Sequence, residues 1–155
     1  MLENEIMAKL ADLERFVELH RDICDAGYPA SDKLIERAEL FLQLGFPLDY
    51  RDFLRRWGTL AIGPLEIYGI TGEDFRSSRI PNGIWFTDKK REQLGLPKEL
   101  LVIYDNNGAE YYCIDTSIVG KCRVVVWDVP SGRISSIKAD SLYDFILEEA
   151  TGLLD

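Results

Sequence analysis

Residues 101–114 read LVIYDNNGAEYYCI, two apolar runs on either side of a short polar turn. The pair Asn107-Gly108 is the strongest short hairpin signal in the chain, because both residues accept positive φ in a type I′ turn. We therefore predict one strand at 101–104 and a return strand at 110–114.

Further strands are predicted on both sides of this hairpin. Downstream, 123–127 and 133–137 are predicted to pair around the turn Pro130-Ser131-Gly132. Upstream, 60–70 is rich in β-branched and aliphatic residues with Gly and Pro breaks, which predicts one or two strands. Residues 71–83 are predicted to form a long loop.

Helices are predicted near both ends of the chain from the spacing of apolar residues. In the first, apolar residues recur every three or four positions as far as Cys24, and Gly27 ends the pattern. In the last, Ser141 with Asp144 resembles a capping box. The predicted helices are 3–27, 31–43, 49–57, a short one that Thr87 caps and that runs to Leu94, and 141–153.

Helices first, hairpins next and a helix last is the order of the α+β class. We expect a mainly antiparallel twisted sheet of about five or six strands with the N-terminal helices and the C-terminal helix packed against it. The length of 155 residues is that of one domain, which we assign to 1–155.

The formal net charge of −9 is concentrated at the two ends of the sequence. Residues 1–27 hold seven acidic and three basic residues, and 140–155 hold five acidic and no basic ones. Nucleic acids and anionic membranes attract clustered Lys and Arg, so neither is an expected partner. A basic protein partner is favoured, and the alternative is an acidic surface that serves solubility alone.

Cysteine usage and the N-terminus predict a cytoplasmic protein. Three cysteines without metal-ligand spacing indicate free thiols in a reducing compartment, with no metal and no cofactor expected. The first residues lack the basic and apolar regions of a signal peptide. No apolar run approaches the roughly 20 residues of a membrane-spanning helix.

Two stretches carry a resemblance to a known family. Residues 45–58 read GFPLDYRDFLRRWG, and 96–108 read LPKELLVIYDNNG, followed by the strand Tyr111–Asp115. In this order they resemble the SUKH superfamily over about residues 31–150, with its apolar-Pro-x-Asp-Tyr-x-x-Phe-Leu pattern. The chain departs from the family at Trp57-Gly58-Thr59, where Asn-Gly-Gly is frequent, and the first helix lies outside the strongest match.

The resemblance implies a protein that binds another protein and has no catalytic residues. SUKH proteins are typically immunity proteins of bacterial polymorphic-toxin and contact-dependent inhibition systems, which block a toxin domain such as a nuclease or deaminase. A minority, including a Smi/Knr-like yeast cell-wall assembly regulator, are interaction hubs. We expect a monomer or weak dimer that binds a basic toxin domain, with a regulatory scaffold as the alternative and a small-molecule enzyme as a third hypothesis.

The expected interface consists of acidic and polar residues in loops around the sheet. The candidate partner-binding residues are Glu73, Asp74, Asp105, Asn106, Glu110 and Asp115. Aromatic residues could add to it, because Tyr111 and Tyr112 point to opposite faces of one strand, as do Val126 and Trp127. One member of each pair is a candidate for exposure, and burial in the core is the alternative.

Two other patterns could carry chemistry. His20 and Cys24 have the i, i+4 spacing of a nucleophile pair on a helix, but no third orienting group is evident, so a structural histidine is favoured. Residues 105–110 concentrate oxygen ligands, yet they lack the glycine and glutamate positions of a calcium loop, and a hairpin turn is favoured.

Overall fold

The computed structural model describes residues 3–154. Its helices are α1 (Glu3–Leu19), α2 (Asp32–Leu42), α3 (Leu48–Trp57), α4 (Gly83–Leu94) and α5 (Leu142–Gly152). Its strands are β1 (Cys24–Ala26), β2 (Leu60–Ile62), β3 (Leu65–Ile67), β4 (Leu100–Asn106), β5 (Glu110–Asp115), β6 (Val124–Asp128) and β7 (Arg133–Ala139).

The strands form two antiparallel sheets. The smaller has the order β1-β2-β3 and the larger is a meander with the order β4-β5-β6-β7. The backbone N–H of Tyr68, just after β3, donates to the carbonyl of Ile103 in β4 at 2.8 Å and so connects the two. The predicted α+β class and antiparallel pairing are confirmed, with seven short strands among the described residues.

Helices cover both faces of the larger sheet. On one face, Leu101, Ile103 and Ile114 belong to a core that includes side chains of α1, α3 and α5. On the other, Tyr111 and Trp127 pack with Phe86 of α4 in a second apolar cluster. Burial on both faces explains the nearly continuous apolar runs of these strands.

The first hairpin forms as predicted. Asn107 and Gly108 have φ values of 56° and 76°, and the N–H of Ala109 donates to the carbonyl of Asn106 at 3.2 Å. The N–H of Gly108 also donates to a carboxylate oxygen of Asp105 at 2.7 Å. The turn is therefore fixed both by the conformation of its central residues and by a side-chain acceptor.

The N-terminal helix is shorter than the predicted 3–27. It ends at Leu19, and Cys24–Ala26 forms a strand in which Cys24 lies opposite Ile62. The apolar spacing continues past the end of the helix because Cys24 packs against the same core from a strand. Pairing with a distant strand here overrides the local pattern.

Helix α4 begins four residues before the predicted cap. Its actual cap is the buried Asn82, whose side-chain oxygen accepts from the N–H groups of Ile84 and Trp85 at 3.1 and 3.0 Å. Thr87 is fully buried instead, and its hydroxyl accepts from the N–H of Val102 at 3.0 Å. The residue taken for a cap thus connects α4 to the sheet.

Three segments of backbone meet closely at Gly58, the glycine of the 45–58 motif. Gly58 has a φ of 73°, and a Cβ there would lie 2.0 Å from the carbonyl oxygen of Tyr28. A Cβ at Gly69 would lie 1.7 Å from the carbonyl oxygen of Gly58. Real Cβ contacts are essentially never this short, so only glycine fits at either position. We call this crossing of Tyr28, Gly58 and Gly69 the glycine junction.

Candidate functional site

Three of the six predicted site residues lie together at the turn end of the β4–β5 hairpin. Asn106 stands opposite Glu110 in the pairing of β4 with β5, and its amide nitrogen donates to the Glu110 carboxylate at 3.0 Å. Asp105 precedes the turn and accepts from the N–H of Gly108. The Asn107-Gly108 turn in the sequence is sufficient to predict that these three side chains lie close together.

Glu73 and Asp74 lie elsewhere, in the loop between β3 and α4. Glu73 forms an ion pair with Arg37 of α2 at 3.2 Å. Asp74 accepts from the N–H groups of Arg76 and Ser77, both at 3.0 Å, and these bonds lower the pKa of its carboxyl. Both residues line a separate groove of about 460 Å³ against α2, with Leu40 and Phe41.

Asp115 lies at the opposite end of β5 from Glu110, about 17 Å away along a strand that rises roughly 3.4 Å per residue. Its carboxylate accepts from the N–H and the hydroxyl of Ser117 at 3.0 and 2.6 Å. The six predicted residues therefore occupy three places on the molecule and do not form one continuous surface.

Asp128 was missed by the sequence analysis and lies beside Glu110. The two are directly opposite each other in the pairing of β5 with β6. The Asp128 carboxylate accepts from Ser131, which lowers the pKa of Asp128. The signal was available, because Asp128 directly follows the predicted strand 123–127 and so falls at the same end of the sheet. We call Asp105, Asn106, Glu110 and Asp128 the hairpin-end surface.

The carboxylates of the hairpin-end surface have no ionic partner in the described part of the chain. Among residues 3–154, no basic side chain comes within 4.0 Å of the carboxylates of Asp105, Glu110 or Asp128. The nearby Lys138 forms its ion pair with Glu149 of α5 at 2.9 Å. That contact, strengthened by the charge of Glu110, raises the pKa of Lys138.

Acids at the ends of the chain behave differently. Asp144 of α5 pairs with Lys9 at 2.9 Å, and Glu14 of α1 pairs with Arg56 at 2.9 Å. The excess of acidic residues that the sequence shows in 1–27 and 140–155 is thus partly neutralised by contacts in the fold. A local excess of acidic residues remains at the hairpin end, although residues 28–139 as a whole hold equal numbers of acidic and basic residues.

A groove of about 500 Å³ adjoins the hairpin-end surface. It lies between the β2–β3 turn and the end of β4, and its lining includes Glu66, Tyr68, Ile80, Tyr104 and Asp105. Tyr68 is only 4% exposed. Burial, and then the charges of Asp105 and Glu66, raise the pKa of Tyr68, so its hydroxyl is protonated at neutral pH.

The predicted exposed aromatics are only partly found. Tyr112 is half-buried and packs edge-on against Phe145 at 5.5 Å between ring centroids. Tyr111 is buried and stacks on Trp127 at 6.0 Å. Val126 and Trp127 are both buried, so exposure of one of them was the wrong alternative, because β6 is an interior strand covered on both faces.

His20 and Cys24 do not share a helix, so the i, i+4 spacing does not place them on one helical face. His20 follows the end of α1 and its ring contacts that of Phe16, with centroids 4.4 Å apart. Cys24 lies in β1, and burial together with Asp22 raises the pKa of its thiol, which disfavours the thiolate nucleophile. Within residues 3–154 there is no cluster of three His, Cys, Asp or Glu side chains arranged to hold a metal ion.

Comparison with known protein families identifies the family of this chain. Residues 4–151 match the SUKH_5 family, described as SMI1-KNR4 cell-wall. The chain belongs to this SUKH family. The match includes helix α1, which the motifs in the sequence had left outside.

Solved structures agree with the SUKH assignment at the level of the fold. A crystal structure of a protein from Pseudomonas syringae pv. tomato aligns with a TM-score of 0.67 at 17% identity. The alignment covers 87% of this SUKH chain and 96% of the other. Among curated proteins there is no match.

Family membership makes this an immunity-like or SMI1/KNR4-type protein, of a kind that is generally non-enzymatic. None of the helices within residues 3–154 combines the length and apolarity needed to traverse a bilayer.

Proposed function

We propose that this SUKH protein is an immunity protein that binds a basic toxin domain and neutralises it by occlusion, with the hairpin-end surface at the centre of the interface. The observation that carries the proposal is the group of carboxylates at Asp105, Glu110 and Asp128 that lacks an ionic partner among residues 3–154. Elsewhere in the fold, acids such as Asp144, Glu73 and Glu14 are paired with basic residues distant in sequence.

Unpaired carboxylates are suited to recognition of a basic surface. They create a local negative potential that accelerates encounter with a positive partner and disfavours other partners. Toxin domains that act on nucleic acid are basic, since they have to hold phosphates. An inhibitor with an acidic face therefore matches such a domain in charge, and its half-buried Tyr112 adds an aromatic anchor near the same end of the sheet.

The six residues predicted from sequence have unequal places in this proposal. Asp105, Asn106 and Glu110 form the interface centre together with Asp128. Glu73 already has a partner in Arg37, Asp74 caps its own turn, and Asp115 is at the far end of β5. We assign these three residues to peripheral contacts, if the bound toxin domain extends that far.

The test uses the product of the reading frame next to the gene, co-expressed and purified with this protein. The double variant Asp105→Lys/Glu110→Lys should slow association by about tenfold or more and reduce its dependence on salt. Glu5→Lys/Glu36→Lys is the matched control, since both acids are exposed on helices and the change in net charge is identical. Stopped-flow association at several salt concentrations measures the effect.

Two outcomes would contradict the assignment. If both double variants slow association equally, the effect is one of net charge and the hairpin-end surface is not the interface. If Glu73→Lys or Asp115→Lys alone has the larger effect, the interface lies at one of those places.

A regulatory client is the second candidate function, because the description of the matching family is SMI1-KNR4 cell-wall. Here the same acidic surface would bind a basic cellular protein without abolishing an activity. This function is favoured if the neighbouring reading frame encodes no toxin, and if a defined cellular protein binds the wild type but not the Asp105→Lys/Glu110→Lys variant. In both proposed functions, the protein acts in the cytoplasm as a monomer or weak dimer.

A further inference from the structure

We propose that the groove beside the hairpin-end surface is a binding site for a guanidinium group, in which one arginine side chain of the partner protein is held. The inference rests on the proposed function for the identity of the partner, but the site itself is argued from the groove. Its polar lining includes Glu66, Asp105, Asn107 and Tyr68, and its walls include Tyr104 and Ile80.

Two carboxylates supply the negative charge of the groove. Glu66 has neither an ion pair nor a side-chain hydrogen bond within the described residues, and it is half-buried in β3. Asp105 uses one oxygen to accept from Gly108 and leaves the other free of protein donors. A guanidinium group carries its donors in a planar fork, so it can bond to carboxylates on two sides of a groove at once.

Tyr68 adds a hydrogen-bonding group to the groove that no carboxylate supplies. It is 96% buried, since only 4% of it is exposed, and its ring packs edge-on against Phe86 at 5.3 Å. No donor or acceptor among residues 3–154 bonds to its hydroxyl, which retains accessible surface and can therefore bond to a molecule in the groove. A ligand N–H in the groove would complete the hydrogen bonding of this oxygen.

The walls of the groove suit the rest of an arginine side chain. Tyr104 is half-buried and lines the groove next to Asp105, and an aromatic wall is favourable for a bound cation. Ile80 is 48% exposed, and it offers apolar surface for the methylene groups that precede the guanidinium. The free volume of about 500 Å³ leaves room for the side chain together with some water.

The probe is n-butylguanidinium chloride, with n-butylammonium chloride as the matched cation. We expect saturable chemical-shift changes in ¹H–¹⁵N spectra of the full chain, concentrated at Glu66, Tyr68, Tyr104 and Asp105. Butylammonium should bind at least several-fold more weakly, because it lacks the planar fork. Equal binding of the two cations, or shift changes spread evenly over all acidic residues, would overturn the assignment.

Two variants test the named residues. Glu66→Gln/Asp105→Asn should weaken butylguanidinium binding by about tenfold or more, while Asn can still accept from Gly108. The control Glu36→Gln/Glu92→Gln removes two exposed helical acids and should leave binding unchanged. Tyr68→Phe, which keeps the ring in the core, should weaken it about two- to fivefold, in line with one lost hydrogen bond. Undiminished binding in the first variant excludes the groove.

The failure of this inference can be distinguished from that of the proposed function. If butylguanidinium does not bind but the toxin domain binds and is sensitive to Asp105→Lys/Glu110→Lys, the arginine site is wrong and the interface stands. If butylguanidinium binds with the expected sensitivity to Glu66 and Asp105 but no toxin domain associates, the guanidinium site stands and the toxin as its source is wrong.

Discussion

Charged residues are used differently on the helical side of the molecule and at the hairpin end. Between α2 and α3, Arg51 pairs with Glu39 at 2.6 Å and Arg55 pairs with Asp32 at 2.5 Å. These contacts hold helices to one another. At the hairpin end, Glu110 and Asp128 are neighbours of like charge without a basic partner among the described residues. The difference teaches that charge on the helical side stabilises the fold, whereas charge at the hairpin end is available to another molecule.

The largest effect is expected in the core beneath the paired charges. Phe53→Ala removes a fully buried ring that stacks on Tyr50 with centroids 5.9 Å apart. It should lower the free energy of unfolding by about 3–5 kcal/mol, from lost burial and a residual cavity. Urea denaturation measures this. Leu40→Ala, at an exposed position of α2, is the control, and a loss at Phe53 no larger than at Leu40 would contradict the packing.

A smaller loss is expected when one of the ion pairs is broken. Glu39→Ala leaves without a partner both the Arg51 guanidinium and the N–H of Phe46, which donates to Glu39 at 2.7 Å. The free energy of unfolding should fall by about 1–3 kcal/mol, because these donors are partly buried. Asp12→Ala breaks an exposed pair with Arg15 and should cost less than about 1 kcal/mol. Equal losses of unfolding free energy in the two variants would contradict the larger contribution of the partly buried ion pair.

At the hairpin end, removing a charge should raise the free energy of unfolding instead of lowering it. Glu110→Gln keeps the acceptor for Asn106 but removes the like charge opposite Asp128. Stability should rise by about 0.2–0.5 kcal/mol at low salt, with Lys138 offsetting part of the gain. The rise should disappear near 1 M salt, where the Debye length is about 3 Å. Destabilisation by Glu110→Gln would indicate that its charge supports the fold after all.

Local signals in the sequence predicted the larger sheet well. The Asn107-Gly108 turn and the cap at Ser141, whose side chain accepts from the N–H of Asp144 at 3.1 Å, are both found. Such features depend on a few neighbouring residues. Strand β1 could not be found in this way, because Cys24–Ala26 is defined by pairing with 60–62, more than thirty residues away.

The candidate site was only partly predictable for a related reason. The hairpin placed Asp105, Asn106 and Glu110 together, since their proximity follows from one turn. The pairing state of a charge depends on residues far away in the chain, as the contact between Glu73 and Arg37 shows. Glu66 and Tyr68 were not identified, because their relation to Asp105 exists only after the two sheets meet.

The glycine junction has a consequence for how such proteins are recognised. Gly58 is the position at which this chain keeps the glycine of the family motif, while Trp57 and Thr59 differ from the usual Asn and Gly. It is confined by the carbonyl of Tyr28 and by Gly69 in the interior of the fold. The glycine of this motif is therefore required by crowding inside the fold, and its presence carries no information about which residues contact a partner.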